Sequence, residues 1–458
     1  MTFPETLRRS VAWCKHFATN HTGEIVWACL FALVFGWPLA RMIDPPKPDI
    51  TLVVLADHKT HAQTISAFEK AAHEVPLNVG TAPVKIEIYQ LQDDNVATAE
   101  RKARELVARN DVVMVIAHLN SEAVEASLPI YFGEANPKVP VITTVASDDE
   151  LLSECGKGDK PKCVDQSNFV PLLQLSPINT EQAKWAVAYG TEHSKSHTKR
   201  RFMIVYDDST NGSYARDLSH AYKAAVEDYN ERFNEHLVPM GPFSVQAIGK
   251  NFGTDKIDCI LYAGGIGNVK SMLAHVPKSD LPPMVILSDS AVERSISEEE
   301  DELGGTLRPI NFTYQTDAVD YNQHTNAFSQ DSIAIARRLI GDLNERGLSL
   351  RYKLKALFGL ETGADVRRDL VKVMKLNAQF RTAYEGAQEV GIEGVTHPVY
   401  VFEDHKRVNG MFHVWRLDET GQSGPEMKDV DGWHPKRLII TTGTSGQQVA
   451  AVSDPSSP

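Results

Sequence analysis

The stretch Val112–Tyr131, VVMVIAHLNSEAVEASLPIY, constrains this chain more than any other. Val112 to Ala117 is an apolar run rich in Val and Ile, with no charge in it. That is the pattern of a strand buried on both faces of a parallel sheet. The pattern then becomes helical: Asn120 or Ser121 is available as N-cap, Glu122 and Glu125 follow, and Leu128, Tyr131 and Phe132 form an apolar stripe. Strand, short polar loop and helix N-terminus together place a hydroxyl and free backbone N–H groups at the carboxyl end of a sheet, where α/β folds bind ligands. An ordinary capped helix with Ser121 facing water fits the same residues.

The rest of the chain repeats the design. ITLVVLA from Ile50 reads as a strand, followed by a helical stripe of Ile65, Phe68, Ala72 and Val75. VKIEIYQLQ alternates with period two, Ala99 to Val107 is helical, and VPVITTVA follows the central unit. A second series begins with FVPLLQLSP and a helix from Thr180. It continues with RRFMIVYDD, a long helix through Ala215 and Val226, DCILYAGG, GNVKSMLAHV and MVILSDS. Such alternation predicts doubly wound parallel sheets. At 458 residues the chain exceeds one ordinary core, so two α/β lobes of similar design are expected. Phe328 to Glu389 reads as mainly helical and returns to complete one lobe. THPVYVFEDHKRVNGMFHVWRLDETG reads as two strands in a hairpin around Asp404–Gly410.

The start of the chain reads as an address. Ile25 to Ala40 has no charged residue, and extending it to Ile43 crosses only Arg41. At about 1.5 Å per residue this covers roughly 24–28 Å, close to the hydrocarbon thickness of a bilayer. Arg8, Arg9 and Lys15 precede it, which favours a cytoplasmic N-terminus and an exported domain. A cleaved signal ending at Ala40 is the rival, with Pro38 and the long lead against it. The organisation expected is a cytoplasmic segment over 1–24, a transmembrane signal-anchor over 25–43 and a proline-rich linker over 44–49. Lobe 1 is expected over 50–174 and 308–408, lobe 2 over 175–307 and 409–440, and a disordered tail over 441–458. The expected location is the cell membrane, single-pass, with the large domain extracytoplasmic (periplasmic).

Cysteine usage fits that compartment. Cys155 and Cys163 flank the charged loop CGKGDKPKC, which reads as a surface loop closed by a disulfide. Cys259 lies in an apolar strand and reads as a small buried hydrophobe. The net charge of −13 argues against a nucleic-acid partner.

The chain resembles the type I periplasmic binding proteins, the substrate-binding proteins of ABC transporters, in particular those for leucine, isoleucine and valine. The resemblance rests on IAHLNSEAVEASLPIY, VPVITTVASDDEL, RFMIVYDDSTNGSYARDL, ILYAGG, MVILSDS and GVTHPVYVFEDHKRVNGMFHVWRLD, and covers roughly Ile50 to Leu417. It implies two lobes joined by three crossing strands, with a small solute enclosed between them and a transporter permease as partner. In relatives that take amino acids, hydroxyls and backbone N–H groups of the first lobe hold the carboxylate; the matching positions here are Ser121, Val145 and Ser147. The second lobe supplies an acid for the ammonium, which corresponds to Asp289. The family's binding tyrosine corresponds to Asn211, with Tyr214 close by. Relatives have an aromatic where this chain has Gly265, and the first loop carries His58, Lys59 and His61. These departures point away from an ordinary branched-chain amino acid.

Other classes fit less well. GGIGNVK lacks the third glycine of a dinucleotide fingerprint, Lys270 standing there. No G-x-S-x-G elbow occurs, and His58 with His61 lacks an identifiable third metal ligand. No enzyme activity, cofactor or metal is expected. The alternative to a transporter's receptor is a tethered ligand sensor or partner-binding ectodomain with the same fold.

Overall fold

The computed structural model describes residues 50–451, except 58–61, 75–76, 80–81, 93–94, 159–161, 164–168, 195–198, 209–211, 249–255, 266–267, 277–282, 292–308, 315–323, 346–362, 377–378, 382–398, 404, 408–411, 419–425, 430–436 and 441–447. The expected cytoplasmic segment, anchor and linker lie outside the described residues. So do Asn211 and the His58–His61 loop. Among the described residues no helix is long and apolar enough to cross a membrane.

The first series forms β1 (Ile50–Ala56), α1 (Ala62–Glu74), β2 (Asn78–Val79), β3 (Ala82–Gln90), α2 (Val96–Ala108) and β4 (Val112–His118). It continues with α3 (Ser121–Pro129), β5 (Val141–Thr143) and β6 (Leu172–Gln174). A π-helical turn, Ile130–Glu134, extends α3 beyond Pro129. The second series is α4 (Asn179–His193), β7 (Arg200–Tyr206), α5 (Gly212–Phe233), β8 (Leu237–Ser244), β9 (Cys259–Ala263), α6 (Val269–Ala274), β10 (Met284–Leu287) and β11 (Pro309–Tyr314). Then follow α7 (His324–Glu345), α8 (Gly363–Leu376), β12 (Gln379–Arg381), β13 (Val399–Glu403), β14 (Lys406–Arg407), β15 (Phe412–Asp418) and β16 (Glu426–Asp429).

Two mixed sheets result. The larger runs β12-β13-β14-β6-β5-β4-β1-β3-β2, and the other runs β16-β15-β11-β10-β9-β7-β8. Their centres, β3-β1-β4-β5-β6 and β8-β7-β9-β10-β11, are parallel, and antiparallel strands occupy the margins. Helices cover both faces. Leu52 and Val54 of β1 pack in the cluster that contains Phe68 of α1 and residues of α7 and α8, while Val53 and Leu55 pack with α2 and α3. The β1 strand is buried along its whole length, which is why its sequence reads as a continuous apolar run and not as alternation. In the second sheet Phe202 and Ile204 face α4 and α5, and Met203 and Val205 face α6.

Sheet membership shows that the chain passes between the lobes after β6, after β11 and after β14. Two expectations are corrected by it. The division placed at residue 308 falls later, because Pro309–Tyr314 pairs with β10 and β15 in the second sheet. The two strands expected to form a hairpin around Asp404–Gly410 do not pair with each other: β13 is antiparallel to the short β14 that follows it and to β12, whereas β15 pairs with β11 in the other sheet. Both segments alternate as strands do, but alternation does not say which edge a strand joins. The stretch from Phe328 to Glu389 is two helices and strand β12 over its described residues. Within 441–458, Gln448–Ala451 forms β18, antiparallel to β17 (Arg437–Ile440).

Cys155 and Cys163 are joined in a disulfide with Cα atoms 5.4 Å apart, and Cys259 is a buried free thiol.

Candidate functional site

The central strand β4 ends at His118, and the chain turns into α3 through Leu119 and Asn120. Asn120 is the N-cap: its side-chain oxygen accepts the Ala123 N–H at 2.8 Å. Ser121 is the first helical residue and 5% exposed. Its hydroxyl makes no protein hydrogen bond among the described residues, so it stands ready beside the N–H groups of the first turn. One strand across, β5 runs into the loop 144–149. His118 Nδ1 lies 2.7 Å from Thr144 Oγ1 and joins the two strand ends, with the Phe68 ring edge-on to the imidazole.

Val145 is half-buried on this loop, on the same carboxyl edge as Ser121. Ser147 is buried, and its hydroxyl donates to Asn179 Oδ1 at 3.0 Å. The loop is gripped from the segment that leads to the second lobe. Gln174 Nε2 donates to the carbonyls of Ala146 and Asp148, each at 3.0 Å, and Ser176 Oγ also donates to Ala146 O. Asp149 accepts the Thr180 N–H at 3.0 Å, and burial pushes its carboxyl above the usual carboxylate range. Ser147 thus belongs to the joint between the lobes.

The second lobe contributes Tyr214, in the first turn of α5, and Asp289, in a single 3-10 turn after β10. Tyr214 is buried and its phenol donates to Asp289 Oδ1, so these candidates, 75 positions apart, are brought together. Beside them the strand ends are tightly knit. Ser288 Oγ donates to Gly264 O at 2.8 Å and accepts the Gly264 N–H at 3.2 Å. Tyr262 OH donates to Gly265 O at 2.8 Å, and Asn268 Nδ2 donates to Asp207 Oδ1 at 2.8 Å. Burial and the neighbouring Asp207 hold the Tyr262 phenol far above its ordinary range. A Cβ on Gly264 would lie 2.4 Å from Asp207 Cβ, so only glycine fits. A Cβ on Gly265 would meet nothing within 4 Å.

One residue of each set lies on a helix that touches the other lobe, since α3 packs against α5. Ser121 opens one of these helices and Tyr214 lies in the first turn of the other. The arrangement offers helix N–H groups and a hydroxyl for an anion on one side, and a carboxylate for a cation on the other. Asn211 lies outside the described residues. Sequence reasoning missed His118, Thr144 and Asn179, which build the first-lobe loop. A histidine closing an apolar strand was the available signal for the first of them.

No protein-family model matches this sequence, and no curated protein is significantly similar to it. Solved structures do share its architecture. The ABC transporter substrate-binding protein of Desulfitobacterium hafniense in complex with leucine matches with a TM-score of 0.52 at 12% identity, over 83% of this chain and 99% of its own. The leucine-binding protein LivK of Thermotoga maritima matches with a TM-score of 0.54 at 13% identity, over 83% and 97%. The branched-chain amino acid substrate-binding protein LivJ of Streptococcus pneumoniae, in complex with isoleucine, gives 0.50 at 14% identity, over 83% and 99%. The chain has the type I periplasmic-binding-protein fold. At these identities the likeness is one of fold.

Proposed function

We propose that this chain is a membrane-anchored, extracytoplasmic solute-binding protein that captures an amino acid or related small carboxylate between its lobes and delivers it to an ABC transporter. The observation that carries the reading is the placement of Ser121 at the N-terminus of α3, opposite the lobe that bears Tyr214 and Asp289. Buried N–H and hydroxyl donors at a helix start bind carboxylates, and a carboxylate that accepts a phenol on one oxygen can take an ammonium on the other. Structures of the same fold were solved with leucine and isoleucine, which supports an amino-acid-like solute.

The experiment is calorimetric titration with a panel of amino acids, short-chain acids and amides. A hydrogen bond to a charged group contributes about 1.5–3 kcal/mol, so Ser121→Ala weakens carboxylate binding roughly 10- to 150-fold. Asp289→Asn weakens amino acids by a similar factor and leaves simple acids unchanged. Binding that survives Ser121→Ala undiminished places the solute elsewhere. Failure of the whole panel favours a tethered sensor or partner-binding ectodomain.

A further inference from the structure

The loop after β5 is tied from behind to the strand that leads to Ser121. Thr144, Ala146, Ser147 and Asp148 of this loop are buried, and Val145 among them is half-buried. What fixes Val145 therefore lies inside the lobe. On one side Gln174 Nε2 holds the carbonyls of Ala146 and Asp148, each at 3.0 Å. On the other stands His118, the last residue of β4 and 6% exposed. In the ladder between β4 and β5, Ala117 is opposite Thr143, so His118 and Thr144 form the next pair. His118 Nδ1 lies 2.7 Å from Thr144 Oγ1, and the Thr144 N–H donates to Ala117 O at 3.3 Å. The side-chain bond thus carries the join past the strand ends, where the chains diverge into α3 and the loop. The His118 carbonyl also accepts the Asp57 N–H at 3.0 Å, which ties in the end of β1. Phe68 of α1 meets the imidazole edge-on, with ring centroids 5.6 Å apart and planes at 82°.

His118 stands just ahead of the turn that presents Ser121, and Thr144 directly precedes Val145. Donors that converge on one carboxylate must be held at a fixed separation, and buried groups behind them supply that. We propose that His118 is a positioning residue for the carboxylate end of the solute, a role that rests on the carboxylate-binding reading of Ser121 and Val145. Through Thr144 it sets the distance between the start of α3 and the loop. A clamp of this kind acts on groups that meet at a charged, two-oxygen acceptor. A carboxamide has one acceptor oxygen and no charge, so it gains less from the same alignment. His118 therefore contributes to the preference for acids over their amides.

The full chain in detergent is compared with three variants. His118→Phe keeps an aromatic ring against Phe68 and loses the nitrogen, Thr144→Val loses the hydroxyl, and His118→Asn retains a group that bonds Thr144. Amide hydrogen exchange without solute is read first, by mass spectrometry. Peptides covering 144–149 should exchange about threefold faster or more in His118→Phe and Thr144→Val, with those of β7 unchanged and His118→Asn like the parent. Calorimetric titration follows. Loss of one neutral hydrogen bond should weaken the acids of the panel about three- to tenfold in His118→Phe and Thr144→Val, their amides less, and neither in His118→Asn. Thr144→Val decides where His118→Phe does not fold, as judged by circular dichroism. Parent-like exchange in the folded variants overturns the proposal alone, whatever the parent binds. An equal loss for acids and amides does the same, since it marks a structural role only. If no panel member binds the parent, the carboxylate reading has failed and the role of His118 falls with it.

Discussion

The Ser147 hydroxyl donates to Asn179 Oδ1 at 3.0 Å, and the Asn179 backbone N–H returns to Ser147 O at 2.8 Å. This two-bond clasp ties the loop after β5 to the first residue of α4, and so ties one lobe to the segment that enters the other. The Asn179 Nδ2 atom is buried without a partner among the described residues, so the side chain depends on Ser147 for its single bond. Ser147→Ala leaves a buried amide unsatisfied, which costs about 1–3 kcal/mol. A drop of several degrees in Tm without solute is expected. An unchanged Tm with weakened solute binding would instead assign Ser147 to the ligand.

Neighbouring glycines give opposite expectations. Gly264→Ala places a methyl group 2.4 Å from Asp207 Cβ and 2.9 Å from the Tyr262 hydroxyl oxygen, in a part of the second lobe where Ser288 pins both backbone atoms. Overpacking of this kind costs about 1–3 kcal/mol. Gly265→Ala meets nothing, and its effect on stability should stay within about 0.5 kcal/mol. Denaturant unfolding of the two variants side by side is the check; equal losses would mean that the two strand ends are not held as described.

Acid should loosen the first lobe at a definite place. Arg109 donates to Glu87 at 2.7 Å, with Tyr89 at 2.7 Å and Lys85 at 2.6 Å on the same carboxylate. The Arg109 hydrogen bond is the main reason that Glu87 is held down to about 2. A lowered carboxylate contributes stability that is present above its unfolded value, near 4.5, and is lost as pH falls toward 2. Glu87→Gln should therefore be less stable than the parent at pH 6, and the gap should close as pH approaches 2. A gap that is the same at both pH values would show that ionisation of Glu87 contributes nothing.

The strands were readable from the sequence because burial on both faces leaves a short apolar run bounded by turn residues, a pattern that surface elements do not produce. β1, β4 and β9 are buried from end to end, and all three stand out as such runs. The capped start of α3 was readable too, because Asn120 and the change of period are local. What was not readable is long-range. Tyr214 and Asp289 are each conspicuous beside a strand end, but their contact depends on the order of β7, β9 and β10 in the sheet. Ser147 reads as a free loop hydroxyl until Asn179, 32 positions later, is packed against it. The edge that β15 joins was misread for the same reason, since strand alternation records burial and not pairing.

The proposed anchor rests on the sequence alone, and its test separates two readings of the N-terminal segment, a retained anchor and a cleaved signal. Ile25 to Ala40 is long enough to reach across most of a bilayer, Arg41 can extend to the headgroups, and the basic residues lie on the N-terminal side. A retained anchor keeps the chain with the membrane fraction after a high-salt wash, since salt releases electrostatic attachment but not a buried apolar helix. A reporter fused after Pro458 should be active outside the cytoplasm on either reading. Mass spectrometry of the purified chain then decides between them. Full-length mass in the membrane fraction is the expected result, and a soluble product that begins just after Ala40 would show a cleaved signal. A reporter active only in the cytoplasm would overturn the export of the domain. It would also leave the disulfide between Cys155 and Cys163 without an oxidising compartment to form in.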